Sequence, residues 1–211
     1  MVGLVLGASH ALIVASAPAH ALAPLARTDS PTLWYLTRAS AIAAYALLTL
    51  TVILGMLRSV ARQASERLSW VADELHQVAA TLMAVMIVTH LLTLVFDPYL
   101  PFSVVNVLMP FGEPYRPTAV RIGVFALYVM ALVLFTSWFR RRLSYRAWRG
   151  IHYFSVLAFV LTTAHGFLAG SDNGEPWMRA MYAGAAGAVA FLLLVRMFAG
   201  PAVSQQADQI G

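Results

Sequence analysis

Long apolar stretches, separated by short polar or proline-containing segments, run through most of the chain. Five of them have the roughly 20 residues that a helix needs to cross about 30 Å of hydrocarbon at about 1.5 Å per residue. They are Trp34–Leu57, Val71–Phe96, Val120–Phe139, Ile151–Gly170 and Ala180–Ala199. Backbone groups in lipid must be hydrogen-bonded within their own segment, and strand-like alternation is absent, so we predict membrane-spanning helices.

The opening segment Gly3–Leu25 is apolar and rich in small residues, but prolines interrupt it. No basic residue precedes it, whereas a signal peptide begins with positive charge, so we interpret it as a first, weaker membrane helix. A cleaved or interfacial segment is the alternative, and we assign no ligand role to its histidines, His10 and His20. The predicted fold class is an all-α integral membrane protein, a bundle of five to six transmembrane helices. Its predicted parts are the apolar segment 1–30, a membrane domain over 31–200 and a short polar cytoplasmic tail over 201–211.

Composition supports a membrane protein and excludes thiol chemistry. The chain is 60% hydrophobic and 11% charged, whereas soluble domains carry about 25% charged residues. The chain has no Cys, which rules out disulfides, iron–sulfur clusters and catalytic thiols. The net charge of +5 comes entirely from Arg, since Lys is absent. These arginines cluster between apolar segments, which favours contact with lipid over nucleic acid.

The distribution of Arg predicts an orientation. Two connecting segments hold most of the arginines: Arg58, Arg62 and Arg67 in one, and Arg140, Arg141, Arg142, Arg146 and Arg149 in the other. The connections 97–118 and 171–177 contain a single arginine, Arg116. By the positive-inside rule, the Arg-rich segments and the C-terminus are cytoplasmic. The long, proline-rich connection 97–118 is then external, either as a lid over the bundle or as a plain connector.

Four histidines within the apolar stretches are the candidate site residues. Histidine is costly inside a membrane helix and by default marks a function. His76 and His90 lie on one predicted helix, and His152 and His165 lie on another that runs in the same direction. Each helix therefore carries one His near its cytoplasmic end and one deeper, which predicts two levels: His76 with His152, and His90 with His165.

Helical geometry supports one pair of spacings better than the other. His76 and His90 are 14 positions apart, which is about 21 Å along the axis and about 40° around it, so both share a face. His152 and His165 are 13 positions apart, which in an ideal helix places them about 140° apart around the axis. We therefore expect a kink, bulge or rotation in the second helix, or else different approaches to its two histidines.

Paired imidazoles between helices predict b-type haem. Neutral imidazole binds iron well, and the helices bury the apolar macrocycle. Two His per iron leave no open coordination position, so such iron carries electrons. We expect two haems, with one haem as the alternative. Arg149, close before His152, is the candidate for a haem propionate; the alternative is that the arginines of this segment serve orientation only. Histidines in membrane helices can also serve as polar contacts between helices, as a proton relay or as ligands of zinc, whose ligands lie closer together in sequence.

Three segments resemble the ferric reductase-like transmembrane domain: WYLTRASAIAAYALLTLTVILGML from Trp34, LHQVAATLMAVMIVTHLL from Leu75, and WRGIHYFSVLAFVLTTAHGF from Trp148. That family includes ferric reductases, NADPH oxidases and the bacterial haem-binding membrane subunit of a periplasmic methionine sulfoxide reductase. The resemblance, over roughly Trp34 to Arg196, implies bis-histidine haems at His76, His90, His152 and His165. It also implies that Arg38 meets a haem propionate; snorkelling to the interface is the alternative.

One departure from the larger family members bears on function. Only 15 residues follow Arg196, and no G-x-G-x-x-G follows a strand. The chain thus resembles the membrane-only bacterial members, located in the plasma (inner) membrane. We expect an oxidoreductase component that carries electrons from a cytoplasmic flavoprotein or quinol to an external redox partner. The alternative is an accessory subunit, with or without haem, that organises a larger membrane complex. Quinone or flavin would enter only through a partner.

Overall fold

The computed structural model describes residues 31–98, 102–112 and 115–208, and the side chains among them except those of 59–64 and 199–208. The predicted first helix within 1–30 lies outside these residues. The described part is helical and contains no strand. The helices are α1 Thr32–Ala64, α2 Glu66–Phe96, α3 Val104–Leu108, α4 Pro117–Trp138, α5 Tyr145–His152, α6 Phe154–Ala169 and α7 Pro176–Asp208. A 3-10 turn, Arg140–Arg142, lies between α4 and α5.

Five helical segments are long and apolar enough to cross a membrane, which confirms the predicted all-α fold class and its five central helices. The candidate spans are Thr32–Arg58, Glu66–Phe96, Pro117–Trp138, Tyr145–Ala169 and Pro176–Phe198. Large apolar side chains face outward along them, with Trp138 83% exposed and Phe198 78% exposed. A lipid environment accounts for this outward-facing surface, which water would disfavour.

The sequence-based boundaries were wrong at the Arg-rich connections. Arg58 and Arg62 belong to α1, which continues to Ala64, and Arg67 lies in the first turn of α2. Only Ser65 separates the two helices, and its side chain caps α2 by accepting from the Leu68 N–H at 3.1 Å. Likewise Arg146 and Arg149 belong to α5. Near the C-terminus, α7 extends to Asp208 and so includes most of the predicted polar tail over 201–211.

The bundle consists of two helix pairs that face each other. α1 packs along α2, and α4 packs chiefly against α6, whereas α2 and α6 make few direct contacts. α7 packs against α1. The core that joins the pairs includes Tyr45 and Leu48 of α1, Met83 of α2 and Phe159 of α6. The helices that carry the histidines are thus held together mainly through their neighbours, which leaves space between them.

A break in the second histidine helix follows His152 directly. α5 ends at His152, Tyr153 is a turn residue, and α6 begins at Phe154. The Val156 N–H donates to the Tyr153 carbonyl at 3.1 Å, a bond across three residues instead of four. Such tightening changes the rotation per residue. A local irregularity of this kind is one of the two arrangements expected from the 13-residue spacing of His152 and His165.

The described part of the connection 97–118 folds back onto the bundle. Ser103 and Asn106 form a capping box for α3, and the Tyr128 hydroxyl of α4 donates to the Leu108 carbonyl. Phe102 and Val107 are 7% exposed and line a cavity inside the bundle. Phe102 and Val107 therefore cover this end of the cavity.

Candidate functional site: two histidine pairs between helix pairs

His76 of α2 and His152 of α5 come together at one level of the bundle. Their ring centroids are 6.1 Å apart and their planes are inclined by 58°. Both side chains are partly buried. The spacing leaves room for a single atom between two imidazole nitrogens, so these rings can act as a ligand pair.

His90 of α2 and His165 of α6 face the same cavity at the other level. The cavity has a volume of about 350 Å³, and its lining is mainly apolar, with Ile42, Leu48 and Leu127 among the contributing side chains. Pockets of this size and character hold small molecules and cofactors. The structure thus joins the histidines in the two pairs that their depths predict.

Three of the four histidines are held by backbone carbonyl groups of the adjoining helix. The Nδ1–H of His76 donates to the Thr51 carbonyl at 2.9 Å, and that of His90 donates to the Thr37 carbonyl at 3.0 Å. The Nδ1–H of His165 donates to the Ala119 carbonyl at 2.8 Å. A carbonyl oxygen can only accept, so the proton lies on Nδ1. Nε2 therefore keeps its lone pair, which is the state in which imidazole binds a metal.

His152 is held differently from the other three. Its Nδ1 is 3.4 Å from the Ser137 hydroxyl, a long contact. Its ring also stacks on Trp148 one turn earlier, with centroids 5.1 Å apart and planes inclined by 28°. The Arg140 guanidinium lies 5.5 Å from the centroid of the Trp148 ring. Stacking therefore restrains this imidazole where the hydrogen bond is weak.

These supporting groups were missed by sequence reasoning. Thr37 and Thr51 are separated by 14 residues, the same spacing as His90 and His76 on the antiparallel partner helix. That matched spacing was the available signal. A backbone acceptor leaves no mark in the sequence, however, because any residue supplies a carbonyl.

Arg38 lies at the His90 level, where it forms an ion pair. It lines the cavity and binds Asp172 with two hydrogen bonds, one of them from Nε to Oδ2 at 3.0 Å. Its guanidinium also lies 4.2 Å from the centroid of the Trp34 ring. Its predicted contact with a propionate stays a prediction, now with Asp172 as a second partner for the same cation.

Arg149 lies on the outer side of α5. It donates from Nε to the Tyr153 hydroxyl at 2.8 Å and from Nη1 to the Tyr145 hydroxyl at 3.1 Å. A different arginine, Arg58 of α1, is ion-paired with Asp73, which lies three residues before His76 on α2. The propionate contact of Arg149 stays a prediction, and Arg58, which the sequence analysis used only for orientation, is a second cation near the His76 level.

One sequence comparison identifies the family of the chain. The family described as ferric reductase like transmembrane component matches residues 40–163, more than half of the chain. The chain belongs to this family. The match includes His76, His90 and His152, and it ends just before His165, which the structure places opposite His90. Comparisons with curated proteins and with solved structures find no match.

The chemistry open to this family member follows from the donor sets. In the described part of the chain, no three His, Cys, Asp or Glu side chains converge to hold a metal ion. Each level instead offers two imidazoles. Such a pair would suit a metal whose remaining ligands come from a bound macrocycle such as a porphyrin.

Proposed function

We propose that this protein transfers electrons across the membrane through two bis-histidine b-type haems. Membership of the ferric reductase-like family supports transmembrane electron transfer. The observation that carries the proposal is the hydrogen bonding of the histidines. Three Nδ1–H groups donate to carbonyls. The rings of His90 and His165 line one cavity, and those of His76 and His152 have centroids 6.1 Å apart.

The residues present fit haem. An imidazole nitrogen lies about 2 Å from a bound metal, and the ring centroid lies about 1 Å further, so two imidazoles that share one iron would have centroids about 6 Å apart. The His76 and His152 centroids are 6.1 Å apart. α2 and α6 make few direct contacts, and the cavity between them has the mainly apolar lining that an apolar macrocycle needs. Iron held by two imidazoles takes up and releases one electron without binding a substrate.

The chain's own residues have three tasks in this proposal. The carbonyls of α1 and α4 orient the imidazoles and raise their basicity as ligands. The apolar lining of the cavity excludes water from the His90 level. Phe102 and Val107, from the connection 97–118, close that level from the end of the bundle.

Donor and acceptor are assigned by chemistry class. We propose that electrons enter at the His76 level from a cytoplasmic flavoprotein or from quinol, and leave at the His90 level to an external redox partner. The exposed arginines Arg140, Arg141 and Arg142 would steer an acidic donor, an effect that salt screens. Resemblance to the membrane-only bacterial members supports a place in the bacterial inner membrane.

Electron transfer can be tested in sealed vesicles. The purified chain should contain two b haems. In vesicles with ferricyanide trapped inside, it should pass electrons from external dithionite to the ferricyanide, whereas protein-free vesicles should not. This readout does not depend on how the protein is oriented. A chain that purifies without haem, or that leaves trapped ferricyanide oxidised while its haems are reduced, would contradict the proposal and favour the accessory-subunit alternative.

Orientation can be tested with reporter fusions. A reporter placed after Arg146 should read cytoplasmic, and one placed after Asn173 should read external, because the Arg-rich ends of the helices stay inside. Fusions after Asp208 should match the first. The inverse pattern would reverse the proposed direction of electron flow.

A further inference from the structure

The acceptor carbonyls share a feature in the helix that supplies them. Residue i provides the carbonyl, and residue i+4 is small in each of the three cases: Ala41 after Thr37, Gly55 after Thr51 and Gly123 after Ala119. In an α-helix, each Cα–Cβ bond tilts toward the N-terminus, so the side chain at i+4 leans over the carbonyl of residue i. A group that approaches this carbonyl from the side therefore meets that side chain first.

The two glycines lie directly beneath imidazole rings. A Cβ added at Gly123 would come within 2.6 Å of both Nδ1 and Cε1 of His165, closer than Cβ atoms approach other atoms. A Cβ added at Gly55 would lie 3.2 Å from Cε1 of His76, a tight contact that a small movement relieves. The Ala119 carbonyl, which is the acceptor at the crowded position, is 2.8 Å from Nδ1 of His165.

Neither glycine has a role in a turn. Gly55 lies inside α1 and Gly123 inside α4, where glycine is the least favourable residue after proline. By contrast, Gly184 and Gly187 of α7 would meet nothing within 4 Å if they carried a Cβ. The close approach of an imidazole therefore distinguishes Gly55 and Gly123 from these other helical glycines.

We propose that Gly123 and Gly55 are positioning residues for the histidine ligands. Each allows the imidazole to lie against the backbone and reach the carbonyl four residues earlier, which fixes the tautomer and the direction of Nε2. At His152, Nδ1 lies 3.4 Å from the Ser137 hydroxyl, which is a side-chain group, so this position does not require a glycine beside a backbone carbonyl. This inference rests on the proposed function, since it concerns the axial ligands of haem.

The test compares alanine substitutions at these glycines in the full-length protein. Gly123→Ala should displace His165, so that the haem at the His90 level is lost or becomes high-spin while the haem at the His76 level stays low-spin. Gly55→Ala should keep both haems and shift only the midpoint potential and the low-spin EPR signal of the haem at the His76 level. Gly184→Ala is the matched control and should behave as wild type.

The outcomes separate the two proposals. If wild-type protein binds no haem, the proposed function fails, and the glycine inference fails with it. If wild type binds two haems and Gly123→Ala matches Gly184→Ala in haem content, EPR signal and both midpoints, only the glycine inference is overturned. Equal loss of both haems in Gly123→Ala would also contradict it, because general misfolding would then explain the result. The intact haem at the His76 level serves as the internal measure of folding.

Discussion

Replacing any one of the four histidines by alanine should remove one haem and leave the other. His76→Ala and His152→Ala should lose the same haem, because each substitution removes an axial ligand from a shared iron. His90→Ala and His165→Ala should lose the other one. The measurements are haem per protein and reduced-minus-oxidised spectra of the purified variants. Trapped ferricyanide should then be reduced far more slowly by all four variants, since either loss interrupts the relay.

A neighbouring substitution provides the control for this series. Thr89 precedes His90 on α2, and its hydroxyl donates only to the Val85 carbonyl of its own helix, at 2.9 Å. Thr89→Ala should therefore keep both haems and the wild-type rate. A histidine variant that retains wild-type low-spin haem content would show that its residue is not a ligand. If His76→Ala and His90→Ala removed the same haem, the pairing by level would be wrong.

Substitutions at the Arg38–Asp172 pair should shift one midpoint potential in opposite directions. Arg38 and Asp172 both line the cavity that contains His90 and His165. A positive charge near the iron favours the reduced state, so Arg38→Gln should lower the midpoint at this level and Asp172→Asn should raise it. About 1 kcal/mol of charge interaction corresponds to about 40 mV for one electron. Because the Arg38 side chain is 30% exposed, solvent screening should keep the shifts to tens of millivolts.

The same measurements distinguish a propionate contact from snorkelling. Arg38→Gln should also reduce haem occupancy if the guanidinium holds a propionate, and it should leave both midpoints unchanged if Arg38 only reaches the interface. Arg179→Gln is the matched control. Arg179 donates to the carbonyl of Asn173, the residue after Asp172, at 2.7 Å, and it does not line the cavity. An equal shift in Arg179→Gln would indicate a general effect of surface charge. A shift of the other haem would place Arg38 at the wrong level.

Much of the fold could be predicted from residue types and their spacing. The five described spans follow from apolar length alone, since lipid leaves the backbone no other way to satisfy its hydrogen bonds. The four candidate histidines were conspicuous because imidazole is costly within such helices. The helix ends were less predictable: arginines near 58–67 suggested a loop, yet α1 and α2 are joined through Ser65 alone. Charged residues indicate where a segment leaves the membrane, but they do not end the helix, because a helix can continue into water.

By itself, the sequence determined the membrane fold, the four histidines and their depths along two helices. Only the tertiary structure decided how those imidazoles are held, where the second helix breaks, and which charges lie beside them. The break after His152 depends on backbone bonds that no residue type specifies. Arg149 is close to His152 in sequence but lies against Tyr145 and Tyr153, whereas Arg58 comes from another helix. The carbonyl acceptors and the glycines beneath the rings acquire their roles only when α1 packs on α2 and α4 on α6, because such contacts join backbone atoms that are far apart in the chain.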